Sequence, residues 1–276
     1  MPRTLIAVSC LTLISTLWCT VARAQDGGAL DGGVSQVTVQ SAADGGTEPD
    51  DPWCPEGVET LAGSVCAVVP DSLPESVPRT LVIFLHGVVQ PGSGWQHNPI
   101  RGMGAAAKRL GFVLLAPRGR RGVARAEMND YWAWPTGSAG QQRYESEVIE
   151  EWMAARRALE ERSGEKFGKV YVFGFSSGAY YASSLALRGR LPIDGYAVFA
   201  GGAAPYSRPM MSHVRLRPPM FVGYGLKDRS ALKDCKKLAA ALRALRWKHR
   251  EMAVAKAGHT ITDAQLREAI AFLRRN

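Results

Sequence analysis

Cysteine is scarce in this chain: five in 276 residues, no two of them spaced C-x-x-C. That excludes the common structural zinc sites, in which paired thiolates on a tight turn supply half of a tetrahedral shell. After the first two dozen residues no run approaches the ~20 apolar side chains of a membrane-spanning helix, so the mature chain is expected to be soluble, without stable membrane insertion. Residues 25–52 have no basic side chain, carry six acidic ones and repeat Asp-Gly-Gly three times. With so few large apolar groups this stretch cannot offset its ordering entropy, and it reads as a disordered acidic, glycine-rich linker.

What the N-terminus does contain is Arg3, an apolar run from Leu5 to Trp18, and Ala22 and Ala24 in small-x-small spacing. These are the parts of a signal peptide over residues 1–24, with cleavage expected after Ala24 and a secreted or periplasmic product. A lipoprotein anchor is the alternative, but Cys10 comes early in the apolar run and Cys19 follows bulky Trp18, where a small residue is wanted. Export matters for Cys54, Cys66 and Cys235, because disulfides persist in oxidising compartments. Cys54 and Cys66 flank a glycine-containing segment of hairpin length, so a local bridge is the economical pairing, with Cys235 left as a buried helical thiol. The formal charge of +9 is concentrated beyond the acidic linker. Its arginines are scattered over helix faces and the RGRRG loop. This reads as a solubilising surface with weak attraction to anionic surfaces, and no nucleic-acid partner is expected.

From Trp53 onward, taken as the start of the folded domain (53–276), short apolar runs alternate with helical patterns. TLVIFLHG and FVLLAP read as buried strands, and IRGMGAAAKRLG as a helix stopped by Gly111. QQRYESEVIEEWMAARRALEERSG is a long amphipathic helix with Val148, Trp152, Ala155 and Leu159 on one stripe. KVYVFGF, GYAVFAG, PPMFVGYG and KHREMAVA continue as strands, separated by SGAYYASSLALRG and LKDCKKLAAALRAL and followed by TDAQLREAIAFLRR as helices. The alternation predicts an α/β fold with a mainly parallel central sheet flanked by helices. In such sheets ligands bind beyond the carboxyl ends of the strands, where Ser176, Asp228 and His259 all fall.

In VYVFGFSSGAYYA, a strand, a sharp turn and a helix present Ser176 between Gly174 and Gly178, which relieve crowding around it. The helix dipole and backbone N–H groups then point at developing negative charge. A serine hydroxyl needs a base and an orienting partner for that base. Of His86, His97, His213, His249 and His259, only His259, in a loop between the last strand and last helix, is placed to reach back over the serine. Asp228 follows a strand end between the two in sequence and is the candidate acid, with helix capping as its structural alternative. Asp234 reads as helical, and Asp263 as an early helix residue that complements the dipole. The Ser177 N–H and the Val88 N–H are candidate oxyanion donors. His86 and Gly87 support that loop.

FLHGVVQPGSGW, FGFSSGA, Asp228 after FVGYG, and AGHTITDAQLREAIAFL together resemble the α/β-hydrolase superfamily. Within it they are most similar to the carboxylesterase/phospholipase branch of serine esterases, with likeness also to polyester depolymerases and feruloyl esterases. The resemblance covers most of residues 80–275. It implies a Ser176–His259–Asp228 triad, oxyanion donors at Val88 and Ser177, an acyl-enzyme intermediate, and no metal or organic cofactor. Two departures stand out: Ala179 replaces a second elbow glycine, and GLKD lacks a His-Gly before the acid. Trp95, Tyr131, Trp132 and Trp134 are candidate substrate contacts. The lack of a lid-sized insertion points to an open cleft for small or medium esters. A serine peptidase and a non-catalytic binding protein on the same scaffold are the competing functions.

Overall fold

The computed structural model describes residues 52–202 and 214–276. The leader, the linker as far as Asp51, and His213 lie outside the described residues. The described residues form an eight-stranded sheet: β1 (Glu59–Leu61), β2 (Val65–Val68), β3 (Thr80–Leu85), β4 (Val113–Pro117), β5 (Lys169–Phe175), β6 (Gly195–Phe199), β7 (Met220–Gly225) and β8 (His249–Val254). Their spatial order is β1-β2-β4-β3-β5-β6-β7-β8. The hairpin β1–β2 is antiparallel and joins β4 antiparallel, whereas every other pairing is parallel.

Among the described residues the α-helices are α1 (Gly94–Leu110), α2 (Ser138–Ser163), α3 (Ser177–Leu187), α4 (Leu232–Ala244) and α5 (Asp263–Arg274). The period-two geometry of a strand sends successive side chains to opposite faces, and β3 shows the result. Leu81, Ile83 and Leu85 pack with the α2, α3 and α4 side chains Trp152, Leu185 and Leu238, whereas Val82 and Phe84 pack with Met103 of α1 and Leu266 of α5. Both faces are therefore covered, which is why the central strands read as continuous apolar runs. The α2 stripe Val148, Trp152, Ala155 and Leu159 is buried.

Helix α1 starts six residues before the stretch in which the sequence reading placed a helix, and it carries Pro99 inside it. Proline has no N–H to return to the carbonyl four residues earlier, so the sequence pattern looks broken there. Gly111 ends this helix in the left-handed conformation (φ 69°). Cys54 and Cys66 are bonded to one another, and Cys235 is a buried free thiol. Trp53 is buried, and its indole N–H donates to the Ala116 carbonyl at 3.1 Å, tying the first residues to β4. Among the described residues no helix is long and apolar enough to cross a membrane.

Candidate active site

Parallel strands deliver loops to one edge of the sheet, and that edge carries Ser176, Asp228 and His259. Ser176 directly follows β5 and caps α3 with φ 51° and ψ −117°, a conformation that non-glycine residues rarely hold. The strain is held in place by hydrogen bonds. The Ser176 N–H donates to the Phe199 carbonyl at 3.0 Å, and the Ala179 and Tyr180 N–H groups donate to the Ser176 carbonyl at 2.9 and 3.1 Å. Glycine is required on either side because a Cβ at Gly174 would sit on the Gly178 carbonyl, and one at Gly178 on the Leu85 carbonyl.

Asp228 lies in the turn between β7 and α4 and is 1% exposed. Its Oδ1 accepts from the Ser230 and Ala231 N–H groups at 3.0 Å each and from the Ser230 hydroxyl at 2.7 Å. Its Oδ2 faces His259 Nδ1 at 2.9 Å. Burial by itself raises the carboxyl pKa. The hydrogen bonds from Ser230, His259 and the Ala231 N–H, with the attraction of the imidazole, outweigh it and hold the group below its ordinary value. One oxygen of the carboxylate thus braces the turn that leads into α4 and the other orients the histidine, while α4 itself begins after Ala231 without a side-chain cap. With Nδ1 engaged, Nε2 is the ring nitrogen of His259 left for proton transfer. The ring packs 5.1 Å from Phe175, the residue before Ser176.

Ser176, Ser177, Val88 and His259 line one cleft of about 650 Å³. Ser177 is the first residue of α3, so its N–H has no acceptor within the helix. Val89 pairs with Trp132 through two backbone hydrogen bonds, 2.9 and 2.8 Å, and the Val88 N–H lies outside that pairing. His86 sits behind the cleft, buried, with its ring 4.8 Å from Trp53 and 5.0 Å from Trp134. Its Nε2 accepts from the Gly119 N–H at 3.0 Å, so Nδ1 carries the proton and donates to the Gly87 carbonyl. Burial lowers its pKa to about 4, only partly offset by the bond to Gly87, so it stays neutral as a brace for the loop.

The four aromatic candidates are dispersed. Trp134 reaches the cleft but is fully buried; its indole N–H donates to the His86 carbonyl at 2.8 Å and its ring stacks on Tyr181 at 6.0 Å. Trp132 packs against the guanidinium groups of Arg118 and Arg121, 4.4 and 4.5 Å from its ring, and does not line the cleft. Tyr131 is half-buried outside the cleft lining. Trp95 lines a separate pocket that also borders His259. Of the remaining histidines, His97 is bonded to the Pro52 carbonyl and His249 to that of Trp247. Asp263 opens α5 and pairs with Arg109 at 2.9 Å.

Sequence reasoning missed Ser230, which touches both Asp228 and His259, because a hydroxyl two residues beyond an acid carries no periodic signal. Tyr180 and Arg125 also line the cleft without having been singled out. Tyr180 donates its hydroxyl to Asp234 at 2.8 Å. Among the described residues no three His, Cys, Asp or Glu side chains gather as a metal site.

Comparison with solved structures agrees with this architecture. Esterase PE8 superposes with a TM-score of 0.53 at 20% identity, covering 79% of this chain and 99% of its own. A Bacillus cereus carboxylesterase gives 0.53 at 16% identity, covering 76% and 94%. Acyl-protein thioesterase 2 of Zea mays gives 0.50 at 14% identity, covering 76% and 98%. At these identities the likeness establishes the fold, an α/β-hydrolase fold. No curated protein sequence matches the chain. The model of the dienelactone hydrolase family matches residues 72–269, from before β3 into α5 and across every strand end just described. That span is most of the chain, and the protein belongs to the dienelactone hydrolase family, within the α/β-hydrolase superfamily.

Proposed function

We propose that this protein is an exported serine hydrolase that cleaves carboxylic esters through an acyl-enzyme intermediate. The observation that carries the reading is that Ser176 and His259, from two strand ends, line one cleft, with His259 Nδ1 held 2.9 Å from the buried Asp228 carboxylate at a third. The family's name denotes hydrolysis of a lactone, a cyclic ester, and the neighbours' names denote esterases and a thioesterase. All share nucleophilic attack on an acyl carbon.

In this reading Ser176 Oγ bonds to the ester carbonyl carbon as its proton passes to His259 Nε2. The Val88 and Ser177 N–H groups bind the oxyanion, and Asp228 stabilises the imidazolium. The carbon–oxygen bond to the alcohol then breaks, and His259 returns the proton to the departing alkoxide. Water repeats the sequence: its proton goes to His259, its oxygen bonds to the acyl carbon, and Ser176 leaves reprotonated.

The test is turnover of p-nitrophenyl esters by residues 25–276, beside p-nitroanilide peptides, Ser176→Ala, and labelling by a fluorophosphonate. Ester turnover and labelling by the wild type, both lost in Ser176→Ala, support the reading. Preference for the anilides points instead to a peptidase. Neither turnover nor labelling by folded protein leaves a binding scaffold.

A further inference from the structure

A second pocket, of about 290 Å³, shares His259 with the cleft and none of the cleft's other lining residues. Its walls come from Trp95, Gly102 and Met103 of α1, Phe175 before the elbow, and Ile261 and Leu266 around the start of α5. Trp95 is 65% exposed, an apolar surface left at the pocket mouth rather than folded away. Gly102 faces open space: a Cβ built there meets nothing within 4 Å. The polar groups at the rim are Asn98, Thr260 and Asp263, and Asp263 is held by Arg109.

We propose that this pocket is the alcohol subsite of the enzyme and takes an apolar, uncharged alkyl or aryl group. The argument rests on the serine esterase reading and on where the two pockets stand relative to its parts. The carbonyl carbon must lie between Ser176 Oγ and the two N–H donors, all of which line the larger cleft. The departing oxygen must instead lie against the nitrogen that protonates it, on His259. The smaller pocket borders His259 but neither Val88, Ser176 nor Ser177. A group seated in it is therefore attached to the oxygen that receives the proton, and the acyl part occupies the larger cleft. The apolar walls favour hydrocarbon, and the one carboxylate in the lining, Asp263, is already paired with Arg109, so a charged group there would lose hydration with little compensation. When the carbon–oxygen bond breaks, its electron pair stays on the alcohol oxygen, His259 supplies the proton, and the neutral alcohol leaves from the pocket.

The test compares kcat/KM for n-hexyl acetate and methyl acetate, whose leaving alcohols are chemically alike, and for methyl hexanoate and methyl acetate. Each methylene buried is worth roughly fourfold, so the wild type is expected to prefer hexyl over methyl acetate by at least about tenfold. Gly102→Leu fills the pocket from an open helical position and is expected to compress the hexyl-to-methyl acetate ratio by about tenfold, leaving the hexanoate-to-acetate ratio in place. Trp95→Ala, which removes an exposed side chain, should compress the same ratio and serves if Gly102→Leu fails to fold. Compression of the hexanoate ratio instead assigns the pocket to the acyl chain and overturns the proposal. So does an unchanged pair of ratios in a wild type that hydrolyses these esters. Absence of all ester turnover by folded protein removes the esterase reading, and this subsite with it.

Discussion

Ser230 Oγ lies 2.7 Å from Asp228 Oδ1 and 3.1 Å from His259 Nδ1, so one hydroxyl braces the acid and the base at once. The Asp228 side chain is 0% exposed and that of His259 39%, so the carboxylate lies in the interior while the imidazole reaches the surface.

Asp228→Asn is expected to lower kcat/KM by roughly a thousandfold to ten-thousandfold, because an amide neither stabilises the imidazolium nor selects its tautomer. The folded carboxyl sits below its ordinary value of 3.8. Its ionised form therefore stabilises the fold above that pH, and the contribution is lost as the pH falls through the lower, folded value. Denaturant titrations of wild type and Asp228→Asn should show a stability difference that shrinks in acid. A gap that widens there contradicts the assignment.

Ser176→Ala should reduce ester turnover at least roughly a thousandfold while leaving the fold intact. Ser176→Gly should be equally inactive yet about 1 kcal/mol more stable, because glycine adopts φ 51° without the side-chain penalty. Melting curves of the two variants separate the loss of the nucleophile from the release of strain.

His86 provides a pH signature separate from catalysis. Its pKa of about 4 lies below the ordinary 6.5, so the unfolded chain binds the extra proton between these values. Stability is fully present above pH 6.5 and falls as the pH drops toward 4, with a total of about 3 kcal/mol. His86→Gln should flatten this part of the profile in urea titrations at stepped pH. An unchanged slope assigns the effect elsewhere.

The Cys54–Cys66 bridge closes a short loop, a sequence separation of 12. Replacing both with alanine is expected to cost about 2–3 kcal/mol. The same fall in melting temperature should follow reduction of the wild type, with little further effect of reductant on the double variant. Cys235 should stay unreactive toward thiol reagents in the native state, since burial pushes its pKa up to about 12.

Much of this was legible in the chain itself. Strands β5 to β7 were written as short apolar runs, and β5 ends at Phe175 where the alternation with SGAYYASSLAL predicts it. The elbow glycines were legible for the same local reason, because only a residue without Cβ fits a backbone that passes so close to its neighbours. The aromatic residues were not. Trp95, Trp132 and Trp134 lie within 40 residues of each other, and composition does not distinguish them. In the fold Trp95 faces a pocket beside His259, Trp132 packs against two arginines, and Trp134 supports the His86 carbonyl. The start of α1 was also hidden, since Pro99 interrupts the helical pattern while burial of Ile100, Met103 and Ala107 sustains the helix.

The sequence by itself determined the order of elements, the sheet class and which residue types stand at strand ends, because periodicity, glycine placement and chain order are local properties written along one dimension. Only the tertiary structure decided that Ser230 shares its hydroxyl between Asp228 and His259, and that His86 is a neutral brace buried between two tryptophans. It also decided that His259 lines both the cleft that holds Ser176 and the smaller pocket that holds Trp95. Those facts depend on distances between segments far apart in the chain, and the packing of both sheet faces sets such distances.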